Sequence, residues 1–145
     1  MDTIQRFRAA VAEGDLDALR DLLAPGIRLF TPAKTAPLKG RALFLGVFDV
    51  LIRRVFDDFH CVGEVHGTAE NSEGRKGSTH ILIFRAKISG RLAHGINLVH
   101  LDDNGLIEEL TVMVRPQVAV DALWDAMLEG IRAEGRPRPL ARSTS

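Results

Sequence analysis

Apolar residues recur at helical spacing from the start of the chain. Ile4, Phe7, Ala10 and Val11 share one face of a helix predicted over residues 3–13. Asp2 or Thr3 can cap its start and Gly14 its end. Asp15 is placed to cap a second helix carrying Leu16, Leu19, Leu22 and Leu23, which Pro25-Gly26 stops. "IRLFT" (27–31) alternates and reads as a strand; "PAKTAPLKG" (32–40) reads as an ordered loop. A third helix is predicted over 41–56, with Phe44, Val47, Phe48, Leu51 and Val55 as its stripe. Strands follow at 59–66, 79–88, 91–101 and 106–115. The polar stretch 67–78 is read as a long loop, and "SG" (89–90) and "DDNG" (102–105) as hairpin turns. Pro116 closes the sheet. A last helix over 118–133 gathers Leu123, Trp124, Met127, Leu128 and Ile131 on one face. One domain is expected over 1–134, and residues 135–145 carry too little apolar content to fold and are expected to be a disordered tail.

Helices come first and strands last, which argues α+β rather than a parallel α/β sheet. The expected architecture is a cone: a curved, mostly antiparallel sheet wrapped around three N-terminal helices, plus the C-terminal helix. Alternation sorts each strand into two faces. On 91–101 one face carries Ala93, Gly95, Asn97 and Val99, and the other His94, Ile96, Leu98 and His100. On 79–88, His80, Leu82, Phe84 and Ala86 oppose Ile81, Ile83 and Arg85; on 106–115, Leu110, Val112 and Val114 oppose Thr111 and Met113. Both faces are partly apolar. A homodimer through the outer face is therefore expected.

Composition narrows the function classes. Nineteen basic residues balance nineteen acidic ones, so there is no electrostatic footprint for nucleic acid or an anionic membrane. The single cysteine, Cys61, excludes an intrachain disulfide. The charged N-terminus has no signal-like apolar core, and no apolar run approaches the roughly 18 residues of a membrane span. A cytoplasmic protein is expected.

"AVAEGDLDALRDLLAPGIRLFTP", "LKG" opening a helix, and "LVHLDDNGLIEELTVMV" resemble the SnoaL-like branch of the nuclear transport factor 2-like superfamily, over residues 4–116. Its members include ketosteroid isomerase, limonene epoxide hydrolase and polyketide cyclases. The resemblance implies an apolar pocket between helices and sheet, with the first-named set on each strand facing it. It also implies three chemistries, and each fails on a residue. The isomerase uses an Asp base with a Tyr and a protonated Asp as oxyanion hole. Matched on the shared motifs, the tyrosine becomes Phe7, the base Thr31 and the protonated acid Asn97. Of these Asn97 still donates a hydrogen bond. The hydrolase's Asp–Arg–Asp relay finds no carboxylate in "LTVMV" (110–114), and Val112 stands near the cyclase's pocket Asp.

His80 and Asn97 are then the candidate catalytic residues. They are expected to point into one cavity bounded by Phe7, Thr31, Phe48, Leu82 and Phe84. Val11, Val99, Leu110 and Val112 complete its wall. Among these residues a proton can be taken only by His80. No HxH, CxxC or HExxH occurs, and histidines on one strand lie too far apart to share an ion, so no metal and no cofactor is expected. The expected function is a pocket for an apolar small molecule, with isomerase, cyclase or hydrolase activity. The alternatives are a noncatalytic carrier and a structural dimer.

Overall fold

The computed structural model describes residues 1–135; apart from Gly135, the tail expected over 135–145 falls outside them. Two short helices open the chain, α1 (Thr3–Glu13) and α2 (Leu16–Arg20). Asp2 and Gln5 form a reciprocal capping box on α1, Gly14 takes the left-handed conformation at its end (φ 67°), and the Asp15 carboxylate accepts from the Ala18 N–H at 3.0 Å. The second helix is shorter than its leucines suggest. Leu23 already belongs to a strand, β1 (Leu23–Phe30), whose register shifts between Leu23 and Arg28. Pro25 and Gly26 sit in that bulge instead of ending a helix, as a proline that cannot donate to a ladder does. Leu22 and Leu23 are buried in either geometry, so their spacing did not discriminate.

The expected loop at 32–40 contains a two-residue strand, β2 (Leu38–Lys39), antiparallel to β1. Next comes α3 (Arg41–Val50), whose last turn widens into a π-helix over Leu51–Val55. Four long strands form the meander: β3 (Phe56–Glu70), β4 (Lys76–Ile88), β5 (Arg91–Leu101) and β6 (Ile107–Arg115). The six-stranded sheet runs β2-β1-β6-β5-β4-β3, antiparallel except where β1 lies parallel to β6. Ser89 and Gly90, both with positive φ (50° and 78°), make the two-residue turn between β4 and β5. Asp102 orders the next turn by accepting from the Asn104 and Leu106 N–H groups, each at 2.9 Å.

The polar stretch 67–78 is mostly strand, not loop. β3 and β4 stay paired out to Glu70↔Lys76, and only a tight turn at Asn71–Arg75 intervenes. Polar side chains stand on both faces of this edge ribbon, so no burial pattern marks it, yet the backbone ladder forms. Asn71 pins the turn: its Oδ1 accepts from the Glu73 and Arg75 N–H groups, and its Nδ2 donates to Glu108 at 2.9 Å.

The core lies between α1, α3 and the concave face, where Phe7, Phe44, Phe84, Leu110 and Val99 are almost completely buried. The last helix, α4 (Gln117–Ala133), packs within the same chain against the π turn, β6 and the β4 and β5 ends, burying Leu123, Trp124, Met127 and Ile131. Gly130 allows the closest approach: a Cβ there would stand 2.6 Å from Val50 Cγ1. Glu134 adds ion pairs to Arg53 and Arg54.

The convex face carries a buried polar cluster near the β5–β6 turn. Glu109 accepts from Arg28 Nε and Nη2 (3.1 and 3.0 Å) and from the Ser72 N–H and hydroxyl. His100 lies beside it, with Nε2 3.6 Å from the carboxylate and Nδ1 3.2 Å from Thr79 Oγ1. Burial pushes the His100 equilibrium below its usual value, and the attraction of Glu109 only partly opposes this. The folded chain therefore resists a proton that the unfolded chain accepts. Stability is full above the unfolded value of about 6.5 and falls as the pH drops below it, by at most about 1.4 kcal/mol per pH unit for one proton. Urea midpoints measured from pH 7.5 down to 5.5 should fall for the wild type, and the fall should shrink for His100→Gln.

Candidate functional site

Asn97 is the centre of the concave face. It sits mid-strand on β5, opposite Leu82 of β4 and Val112 of β6. Its side chain is buried, at 7% exposure, and makes no hydrogen bond among the described residues. Its amide atoms keep access to the free space it lines, where a group from outside can reach them.

Two spaces meet at this residue. The inner one is a cavity of about 160 Å³ under α3 and the π turn. Phe48, Leu51, Ile52, Phe56 and Val112 line it, with Asn97 as its polar group. The π turn carries Leu51 and Ile52 on this wall, where an inserted residue breaks the helical phase. The outer space is an open cleft of about 480 Å³ between α1 and β3. Val11, Ala12, Phe59, Phe84 and Asn97 border both, so the cleft leads onto the cavity wall. Tilted and edge-on rings form the partition: Phe59 and Phe84 lie 4.9 Å apart, and Phe56 and Phe84 5.7 Å. Phe84 in turn lies over Gly95, where a Cβ would come within 2.2 Å of the ring.

The sequence-predicted wall is brought together in part. Phe48 and Val112 line the cavity, Phe7 and Leu82 the cleft, and Val11 and Phe84 both. Val99 and Leu110, each 0% exposed, are packed core and line neither space. Thr31 stands across β6 from Asn97, where it lines a cavity of about 40 Å³ beneath α4 and a groove on the convex side. It follows β1 on the far side of β6, and the space it lines beneath α4 shares Leu51 and Val112 with the Asn97 cavity.

His80 is also not brought to the cavity. It lies on the concave face two residues before Leu82, paired with Val99 and with His66 of β3. The imidazole that does border the cleft is His60. Alternation from residue 59 gave no reason to choose it, because the register of β3 shifts twice, at Asp57/His60 and at Cys61/Gly63. Asp58, with φ 53°, bends the strand there, and its carbonyl lies 2.8 Å from His60 Nδ1. A carbonyl only accepts, so Nδ1 carries the proton and, in the neutral ring, Nε2 holds the lone pair. Arg8 and Cys61 are the other polar side chains on the cleft; no carboxylate lines either space among the described residues.

A curved sheet closed over helices around an apolar cavity defines a nuclear transport factor 2-like α+β cone. Within that class the chain belongs to the SnoaL-like domain family, whose model matches residues 4–110. It is similar to an uncharacterized protein with a cystatin-like fold from Silicibacter pomeroyi (28% identity, covering 92% of this chain and 87% of that one, TM-score 0.79). It is also similar to a steroid delta-isomerase from Pseudomonas aeruginosa (27% identity, 91% and 90% covered, TM-score 0.76). An NTF2-like protein from Cytophaga hutchinsonii, at 19% identity with 80% and 89% covered and a TM-score of 0.56, shares the fold alone. A search of the curated proteins finds no match. Among the described residues no helix is long and apolar enough to cross a membrane.

Proposed function

We propose that the chain is an isomerase-type pocket protein, which holds an apolar small molecule by one carbonyl or hydroxyl oxygen on the Asn97 amide. The Asn97 amide, without a hydrogen-bond partner among the described residues and open to an otherwise apolar cavity, carries this reading. The likeness to a steroid delta-isomerase supports a rigid cyclic ketone as the ligand class. His60 replaces His80 as the proton carrier, since it borders the same cleft and keeps a lone pair on Nε2. Carriage without turnover is the second reading, favoured by the missing carboxylates.

One experiment separates them. A conjugated 3-ketosteroid and its 3-deoxy analogue are titrated into wild type and Asn97→Leu. A net hydrogen bond of about 1.4 kcal/mol predicts roughly a tenfold preference for the ketone, erased in the variant with the deoxy affinity retained. Equal affinities in the wild type would sink the assignment. Incubation with the β,γ-unsaturated isomer then tests chemistry. Conversion that drops on the order of 100-fold in His60→Gln, with binding unchanged, marks the enzyme. Binding without conversion marks the carrier.

The proposal includes a second copy on the convex face. Ile83, Ile96 and Met113 stand side by side in register across three strands, with Ile81 beside Leu98, and Met113 is 48% exposed. Sedimentation at micromolar concentration should give a dimer for the wild type and a monomer for Ile96→Glu. A monomeric wild type excludes it.

A further inference from the structure

The edge ribbon brings together three groups that sequence spacing kept apart. His66 and His80 are directly opposite on β3 and β4, and Glu64 lies two residues before His66 on the same face. One ligand atom from each lies within 4.8 Å of the other two, and the imidazole rings stack at 5.6 Å. A short side-chain adjustment brings such atoms to the spacing of bonds of about 2.0–2.2 Å around one ion.

His80 supplies an independent sign. Ser78 Oγ lies 3.3 Å from Nε2, and Nδ1 is fully buried with no hydrogen-bond partner. A metal-bound imidazole divides its nitrogens in this way, one to the ion and one held by a neighbouring polar group. An imidazole with an orphaned nitrogen, standing beside a second imidazole and a carboxylate, otherwise carries a cost with no return.

We propose that Glu64, His66 and His80 bind one divalent transition-metal ion of the zinc class. Two imidazoles and a carboxylate suit Zn²⁺, Co²⁺ or Ni²⁺ rather than Mg²⁺ or Ca²⁺. Three protein ligands leave a tetrahedral ion one open position for water or a ligand. The site is distinct from Asn97, with Leu82 lying between them along the concave face. Arg8 is its built-in competitor. Its Nη1 is 3.6 Å from Glu64 Oε1, so it both occupies the carboxylate and places a positive charge beside the ion.

The test uses the full chain stripped with a chelator and titrated with ZnCl₂ by calorimetry, and with Co²⁺ by visible absorption. One ion per chain is expected, with a tetrahedral Co²⁺ spectrum. His66→Ala and His80→Ala should each weaken binding at least tenfold, while His94→Ala on the convex face should not. Arg8→Ala should tighten binding a few-fold, a change that a merely adventitious histidine contact would not show. His66 is exposed, so His66→Ala keeps the fold and its melting temperature is the control. Zinc affinity equal in wild type, His66→Ala and His80→Ala, or an octahedral Co²⁺ spectrum untouched by these variants, overturns the site.

Discussion

Replacing Gly95 by alanine should cost this protein about 3 kcal/mol, at the upper end for overpacking, and abolish ligand binding in the cleft. The new Cβ would stand 2.2 Å from Phe84 Cζ and under 3 Å from two more ring carbons. The strand cannot move away, because Gly95 is paired on both sides, to Phe84 and to Val114. The ring must therefore turn, and the free space available to it is the cavity and cleft it borders. Chemical denaturation should show the loss, and ketone titration should show the occlusion. Gly95→Ala with Phe84→Leu should recover much of the stability, since the smaller side chain removes the clash. If Gly95→Ala alone matches the wild type in both measurements, the ring is not held as described.

A second large effect belongs to the convex face. Glu109→Ala should destabilise by about 3–5 kcal/mol, the cost of stranding the partner of a buried ion pair. The Glu109 side chain is 3% exposed and that of Arg28 16%, and four hydrogen-bond donors converge on the carboxylate. Among the described residues Arg28 would keep the carboxylate of Glu73, which is largely exposed. The double variant Glu109→Leu with Arg28→Leu should be far less damaging than Glu109→Ala, because no uncompensated charge remains buried. Urea midpoints of the three proteins decide the matter. A single variant within about 1 kcal/mol of the wild type would show that the cluster is solvated.

What the sequence revealed follows from how locally each feature is encoded. The faces of β5 were legible because Ala93, Gly95, Asn97 and Val99 alternate with bulkier residues, and burial follows that alternation. The junction of α2 and β1 was not, since Leu16, Leu19, Leu22 and Leu23 satisfy a helix stripe and a buried strand start alike. The ribbon beyond residue 67 was missed because its pairing is all backbone. Among site residues, Asn97 was readable as a lone amide on an apolar face. His60 was hidden by two register shifts, and the His66–His80 pair exists only once β3 and β4 are aligned. Thr31 came from matched motifs, and it lines the neighbouring space beneath α4, which shares Leu51 and Val112 with the Asn97 cavity.

The parallel pairing of β1 with β6 also sets the order in which the molecule assembles. Arg28 and Glu109 are 81 residues apart, whereas β3 to β6 are joined by turns of a few residues. Short loops close at little entropic cost, so the meander forms first and the N-terminal segment docks last. Until it does, β6 presents a free edge whose natural complement is the β1 of any copy of this chain. At high concentration during refolding, exchange of the segment α1–β1 between two copies is therefore the characteristic error of this topology. Dilution, which favours closure within one chain, is its physical remedy.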